Sequence, residues 1–357
     1  MAKGKSYPSE RAHFRDAVTG APIVQITNFP CISWALSYTA RTFTPDSRRF
    51  LFISQRCACR DAPYDLFRVD TDGANMVQLT ESDGLSGYTL SPDGGVVFFM
   101  REGSLWTVDM ETFVETEIGR SDAAPFAGGV VSPDGQYYFA SAAIAGGGTA
   151  LARFQTDGSG EPLVSEWPVS LRGLHSADPG GRGILCYHPH PTRKRSHSLM
   201  GYGFENLGEY EGSHDFAHIT FLGDTGEVQG CALPPTRALL RCAMGDTEPT
   251  VITQGPYFWH SCGVPDADWI IADTNWPDRG LQLVHVPSGR YAPVCYAQSS
   301  QSNPQWSHPH PLFSPDGNHV LFTSDRTGTA QVYMARITEE FRAHVEAGEL
   351  DAFANGR

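Results

Sequence analysis

Two histidines separated by one proline carry the strongest chemical signal in this chain. They lie in Gln305-Trp306-Ser307-His308-Pro309-His310. Residues two apart in extended chain point to one face, so the two imidazoles share a direction. Gln305 can fold back over the preceding turn and offer its amide carbonyl oxygen. His260 stands before Val264-Pro265-Asp266 much as His308 and His310 stand before Phe313-Ser314-Pro315-Asp316. Three imidazoles and one amide oxygen suit a borderline divalent ion such as Mn²⁺ better than thiophilic zinc. His175, with Arg172 close before it, precedes a similar turn at Asp178-Pro179-Gly180. Imidazole titrates near neutrality and can act as a base, whereas guanidinium keeps its proton and can clamp a carboxylate. The stretch from His188 to His197 is basic and reads as a loop over a mouth that attracts anions, or as a solvated connection. His214, in Glu211-Gly212-Ser213-His214-Asp215, stands at the start of a strand and either faces the axis or caps the strand.

The elements that position these residues come from a repeat. Phe43-Thr44-Pro45-Asp46, Leu90-Ser91-Pro92-Asp93-Gly94, Val131-Ser132-Pro133-Asp134-Gly135 and Phe313-Ser314-Pro315-Asp316-Gly317 each precede an apolar run. Weaker copies occur at Ala177-Asp178-Pro179-Gly180 and Val264-Pro265-Asp266, and one anchor is lost near Gly223-Asp224-Thr225-Gly226. Each copy reads as strand, tight turn, strand. Proline presets the first turn position, aspartate bonds back to the backbone, and glycine takes the strained φ. A third strand recurs, as in Leu105-Trp106-Thr107-Val108-Asp109. The interval of about 45 residues is that of a four-stranded propeller blade.

The chain therefore predicts an all-β, seven-bladed β-propeller filling residues 1–357 as one domain, with blades over roughly 31–338. The last unit has only three strands, and Pro22-Ile23-Val24-Gln25-Ile26-Thr27 resembles a blade's fourth strand. A closing strand over 22–28 would complete the last blade and protect two otherwise unpaired edges. A peripheral helix is expected over 339–350.

Composition agrees and excludes other classes. The 37 Gly and 25 Pro among 357 residues disfavour a helical bundle, and 40% apolar residues can fill a core. A net charge of −14 argues against nucleic acid as a partner. No apolar run is long enough to span a membrane, and the N-terminus lacks the apolar region of a secretory signal. The eight cysteines read as reduced thiols of a cytoplasmic protein. Oligomeric state is left open.

At Gln305-x-x-His308-Pro-His310-Pro, Phe313-Ser-Pro-Asp and Leu321-Phe-Thr-Ser-Asp325, the chain resembles the oligogalacturonate lyases. Those are seven-bladed propellers that act on short pectic fragments. The resemblance extends to the Met1-Ala-Lys-Gly4 start, to Arg41-Thr-Phe-Thr44 and to Glu211-Gly-x-His214-Asp215. It implies Mn²⁺ held by His260, Gln305, His308 and His310, an acidic oligosaccharide substrate, and β-elimination giving a 4,5-unsaturated uronate. It assigns the base to His175; the family's neutralising arginine does not map cleanly, and local geometry points to Arg172, with Arg153 as the second choice. Arg41, His188, Tyr210 and His214 are the expected substrate contacts. Tyr210 stands where the family carries histidine before Glu211-Gly212, beside an insertion around 188–208, so another uronic-acid glycan fits too. The alternative is a non-catalytic TolB-like propeller serving as a glycan- or protein-binding scaffold.

Overall fold

The structure, a computed structural model, describes residues 3–57, 63–81, 84–189, 196–210, 216–302 and 305–349. Its strands form seven antiparallel sheets. Each sheet is a blade, and the innermost strands run from blade 1 to blade 7 as Ser33–Ala35, Ser86–Leu90, Ala127–Val131, Gly173–Ala177, Phe216–Phe221, Phe258–Gly263 and Leu312–Phe313.

The repeated turn explains why these strands follow one another. In blade 2 the Ser91 hydroxyl donates to Asp93 Oδ1 at 2.6 Å, and the Gly95 amide donates to the same oxygen at 3.0 Å. The Ser91 hydroxyl oxygen in turn accepts from the Val96 amide at 3.0 Å. Gly94 takes φ 77°, a conformation that costs glycine little. The same bonds recur at Ser132 with Asp134 and at Thr44 with Asp46. Such turns are set by neighbouring residues, so they form wherever the phrase is written.

The blades are joined by apolar packing. The described buried side chains fall into seven clusters, one between each pair of neighbouring blades. The pair formed by blades 7 and 1 has its own cluster, built on Phe50, Phe52, Leu312 and Leu321, so the packing runs round a full circle. The N-terminal strand Pro22–Gln25 pairs with Gln331–Arg336 as the fourth strand of blade 7, and Ala12–Arg15 adds a fifth. Ser6–Tyr7 adds an outer strand to blade 1. The N-terminal segment thus covers strand edges of both blade 7 and blade 1.

Outside the ring, the helix Glu339–Ala347 is capped by Thr338, whose hydroxyl accepts from the Phe341 amide at 3.1 Å. Val345 anchors it on the packing between blades 6 and 7. No helix among the described residues is long and apolar enough to cross a membrane. The described cysteines are all free thiols.

One irregularity of the inner strands bears directly on chemistry. In blades 2 to 6 each inner strand carries a bulge against its neighbour: after Ser86, Ala127, Leu174, Ala217 and Phe258. Bulges unpair the local backbone and redirect side chains. Here the bulged residues include His175 in blade 4, His218 in blade 5 and His260 in blade 6.

Candidate metal centre and its cavity

The turn gives a fixed reference for comparing blades. Its first amide bonds back across the turn at Ser91, Ser132, Leu222, Val264 and Ser314. Four residues before that reference stand Gly87, Gly128, His218, His260 and His310. Three consecutive blades therefore place a histidine at one and the same structural position. Gly87, Gly128, His218 and His310 all have positive φ, at 64°, 65°, 54° and 43°. Where blades 2 and 3 use glycine, blades 5 and 7 hold histidine in a left-handed conformation that disfavours side chains.

These histidines converge at one end of the axial channel. A metal-ligating nitrogen from each of His260, His308 and His310 lies within 4.8 Å of the others. Two coordination bonds of about 2 Å each set opposite ligands roughly 4 Å apart, so the set is near the span an ion requires. His260 and His310 meet edge to face with ring centroids 4.1 Å apart. Nδ1 of His308 is buried with no hydrogen-bond partner among the described residues, as expected of a nitrogen awaiting a ligand. Gln305, in the short 3-10 turn Gln305–Ser307, lines the same cavity. The donor set thus fits a borderline divalent ion.

Asp273, on the second strand of blade 6, orients His260. One carboxylate oxygen accepts from the His260 backbone amide at 2.7 Å, and the other lies 2.9 Å from Nδ1. The pairing leaves Nε2 as the nitrogen that faces the cavity. Burial holds His260 and His310 well below the usual imidazole range and raises Asp273 to about 6. Neutral imidazoles are the form that ligates metal.

The cavity has a volume of about 650 Å³. Arg172 and His175 enter it from blade 4, His218 from blade 5, and Trp34, Tyr38 and Trp306 from blades 1 and 7. The His218 ring centroid is 4.7 Å from that of His260, and its Nδ1 is 3.4 Å from the Tyr38 hydroxyl. Burial lowers the His175 pKa, and its Nδ1 lies 3.4 Å from the Ile219 carbonyl. Arg172 is exposed, with its guanidinium carbon 5.9 Å from the Tyr187 ring centroid. Trp34 and Trp306 lie 5.9 Å apart at a 31° tilt, a broad aromatic wall.

Four expected contacts fall elsewhere or outside the description. Arg41 lines a different cavity, because the chain has by then passed the end of the inner strand of blade 1. Tyr210 ends the outermost strand of blade 4, far from the axis. It is buried between blades 4 and 5, and its hydroxyl donates to the Gly226 carbonyl at 3.3 Å. His188 ends a second strand rather than an inner one, and its Nδ1 lies 3.1 Å from the Pro189 carbonyl. His214 and most of the basic stretch after His188 lie outside the described residues. Arg153 donates to the Tyr202 carbonyl at 2.7 Å, between blades 3 and 4, and does not line the cavity.

His218, Tyr38 and Asp273 were not anticipated from the sequence. His218 had a signal: it precedes Leu222-Gly223-Asp224-Thr225 by the same interval as His260 precedes Val264. That turn has lost its Ser-Pro-Asp lettering, which hid the equivalence.

Fold and site together define a propeller that gathers imidazoles able to ligate a metal, a guanidinium and aromatic rings at one mouth of its axis. Known proteins narrow the class. Residues 1–130 match the family model described as oligogalacturonate lyase. An oligogalacturonate lyase of Dickeya dadantii (strain 3937) is 22% identical over 95% of this chain and 99% of that protein. A solved oligogalacturonate lyase in complex with manganese superposes with a TM-score of 0.82 at 21% identity, covering 96% of this chain and all of that one. The oligogalacturonate lyase of Vibrio parahaemolyticus gives 0.81 at 19% identity over 95% of this chain and 100% of that one. This chain is similar to the oligogalacturonate lyases along nearly its whole length.

Proposed function

We propose that this protein is a metal-dependent lyase that cleaves oligogalacturonides, or closely related uronic-acid oligosaccharides, by β-elimination. The convergence of His260, His308 and His310 on one point is the observation that carries this reading. Similarity to the oligogalacturonate lyases supplies the substrate class. We assign the ion to His260, His308, His310 and the Gln305 carbonyl oxygen, with Mn²⁺ as its identity.

An ion held there would supply positive charge at the uronate carboxylate, where negative charge develops as the reaction proceeds. The chain supplies the rest. The Arg172 guanidinium, at the cavity wall, pairs with the same carboxylate. An imidazole takes the proton from C5, next to the carboxylate. The C5–H electrons become the C4–C5 double bond, the C4–O bond breaks, and the departing oxygen is protonated from solvent or the imidazolium.

Two cavity histidines outside the ligand set qualify as the base, His175 and His218. The base must lie close to the carboxylate that the ligands hold, because C5 is bonded to it. His218 packs directly against His260, which favours it over His175. His175 then contributes with Arg172 to the part of the wall that blade 4 supplies. Trp34 and Trp306 offer apolar faces for a sugar ring. A cytoplasmic location is part of the same proposal, supported by the free cysteines.

Incubation with a panel of oligouronides, followed by ultraviolet absorbance of the unsaturated product, tests the reading. Product formation that stops on chelation and returns with Mn²⁺ is expected. Absence of product from every uronide, with metal bound, would leave a glycan-binding scaffold as the better account.

A further inference from the structure

A second cavity, of about 320 Å³, opens at the other end of the axial channel. Blade 4 shows which end it is. The histidine cavity takes Arg172 to His175 from the start of that inner strand, and the second takes Ser176, Ala177 and Pro179 from its end. Blade 1 divides in the same sense: Trp34 and Tyr38 line the first, Arg41 lines the second, and Thr39 borders both.

Arg41 is partly buried in this wall, and among the described residues no carboxylate forms an ion pair with it. Burial alone lowers its pKa, with no neighbouring charge acting against the shift. A guanidinium drawn out of water without a counter-charge favours an anionic ligand. Ser176 gives a second and independent sign. It lines the cavity, and its hydroxyl is buried with no hydrogen-bond partner among the described residues. An exposed carboxylate, Asp224, borders the same cavity and works against ligands with several negative charges.

We propose that this cavity binds a small carboxylate or oxyanion, with Arg41 as its charge partner and Ser176 as a hydrogen-bond donor. The volume is at the small end of the roughly 300–1,000 Å³ typical of ligand pockets, which fits a monosaccharide acid or an inorganic oxyanion and not an oligomer. Arg41 and Ser176 belong to no part of the imidazole set, so this binding stands independently of the lyase reading.

Calorimetric titration of the chelator-treated full chain with D-galacturonate, and separately with inorganic phosphate, tests it. Saturable binding of at least one anion is expected, weakened about tenfold or more by Arg41→Gln and less by Ser176→Ala. Preference for galacturonate marks a sugar-acid site, and preference for phosphate marks an inorganic oxyanion site. No saturable heat with either anion overturns the proposal, as does binding unchanged by Arg41→Gln. Thermal unfolding is followed for each variant. Should Arg41→Gln lose the fold, Arg41→Lys and Ser176→Ala carry the test, and unchanged binding in both overturns it.

Discussion

His218 and His260 occupy equivalent positions in adjacent blades, and their rings meet edge to face with centroids 4.7 Å apart. The ring symmetry of a propeller brings like positions of neighbouring blades together at the axis. A histidine written at one repeat position in blades 5, 6 and 7 therefore becomes a cluster, although the residues are far apart in sequence. Within that cluster His260 is tied to Asp273, while His218 faces Tyr38.

The ligand assignment predicts that His308→Ala and His260→Ala each lose stoichiometric metal while keeping the propeller fold. Elemental analysis of the purified variants, with circular dichroism as the control, measures this. Asp273→Asn should weaken metal affinity by roughly 10–100-fold, because the bond that orients His260 is degraded. Full metal content in His308→Ala would refute the assignment.

The base assignment predicts a different pattern for His218→Ala. Turnover should fall by about 10²–10⁴-fold with bound metal retained. His175→Ala should cost less turnover and more in KM. Steady-state kinetics on one oligouronide compares the two, and a larger loss of turnover in His175→Ala would reverse their roles.

Backbone strain at His218 gives a prediction on stability. Its φ of 54° lies where blades 2 and 3 use glycine. Non-glycine residues in such regions cost on the order of 1 kcal/mol or more. His218→Gly should thus be about 1 kcal/mol more stable than His218→Ala, with turnover impaired in both. Urea denaturation measures the difference, and equal midpoints would argue against stored strain.

The repeated turn makes a prediction for low pH. The Ser91 hydroxyl and the Gly95 amide hold Asp93 below the usual carboxylate range. A carboxyl with a lower pKa folded than unfolded stabilises the fold above its unfolded pKa. That stability is lost as pH falls through the folded value. Ser91→Ala should therefore move the acid-unfolding midpoint upward, slightly, since Asp93 itself is solvent-exposed. An unchanged midpoint would show that this bond adds nothing to acid stability.

The aromatic wall predicts that Trp306→Ala raises KM for oligomers with little change in turnover, because it removes binding shared by ground and transition states. A fall in turnover at constant KM would place Trp306 closer to the reacting bond.

The sequence by itself determined the blades. Ser-Pro-Asp-Gly turns such as Ser91 to Gly94 are closed by bonds between residues at most five apart, so the repeat, its period and the seven-bladed class were legible in the letters. The His308-Pro-His310 phrase and its relation to His260 were legible for the same reason, since each is tied to a turn. Only the tertiary structure decided which polar residues reach the axis. Arg41 and His175 both lie near inner strands, yet they open on opposite ends of the channel, because distance travelled along a strand is not written in residue type. Tyr210 stands at the position where the family carries histidine but sits on an outermost strand, where it packs between blades. His218 and Asp273 entered the site through a degraded turn and a buried second strand. Asp273 reaches His260 through the pairing of the first two strands of blade 6, and His218 reaches it through the packing of blade 5 on blade 6, so neither contact is written in a local phrase.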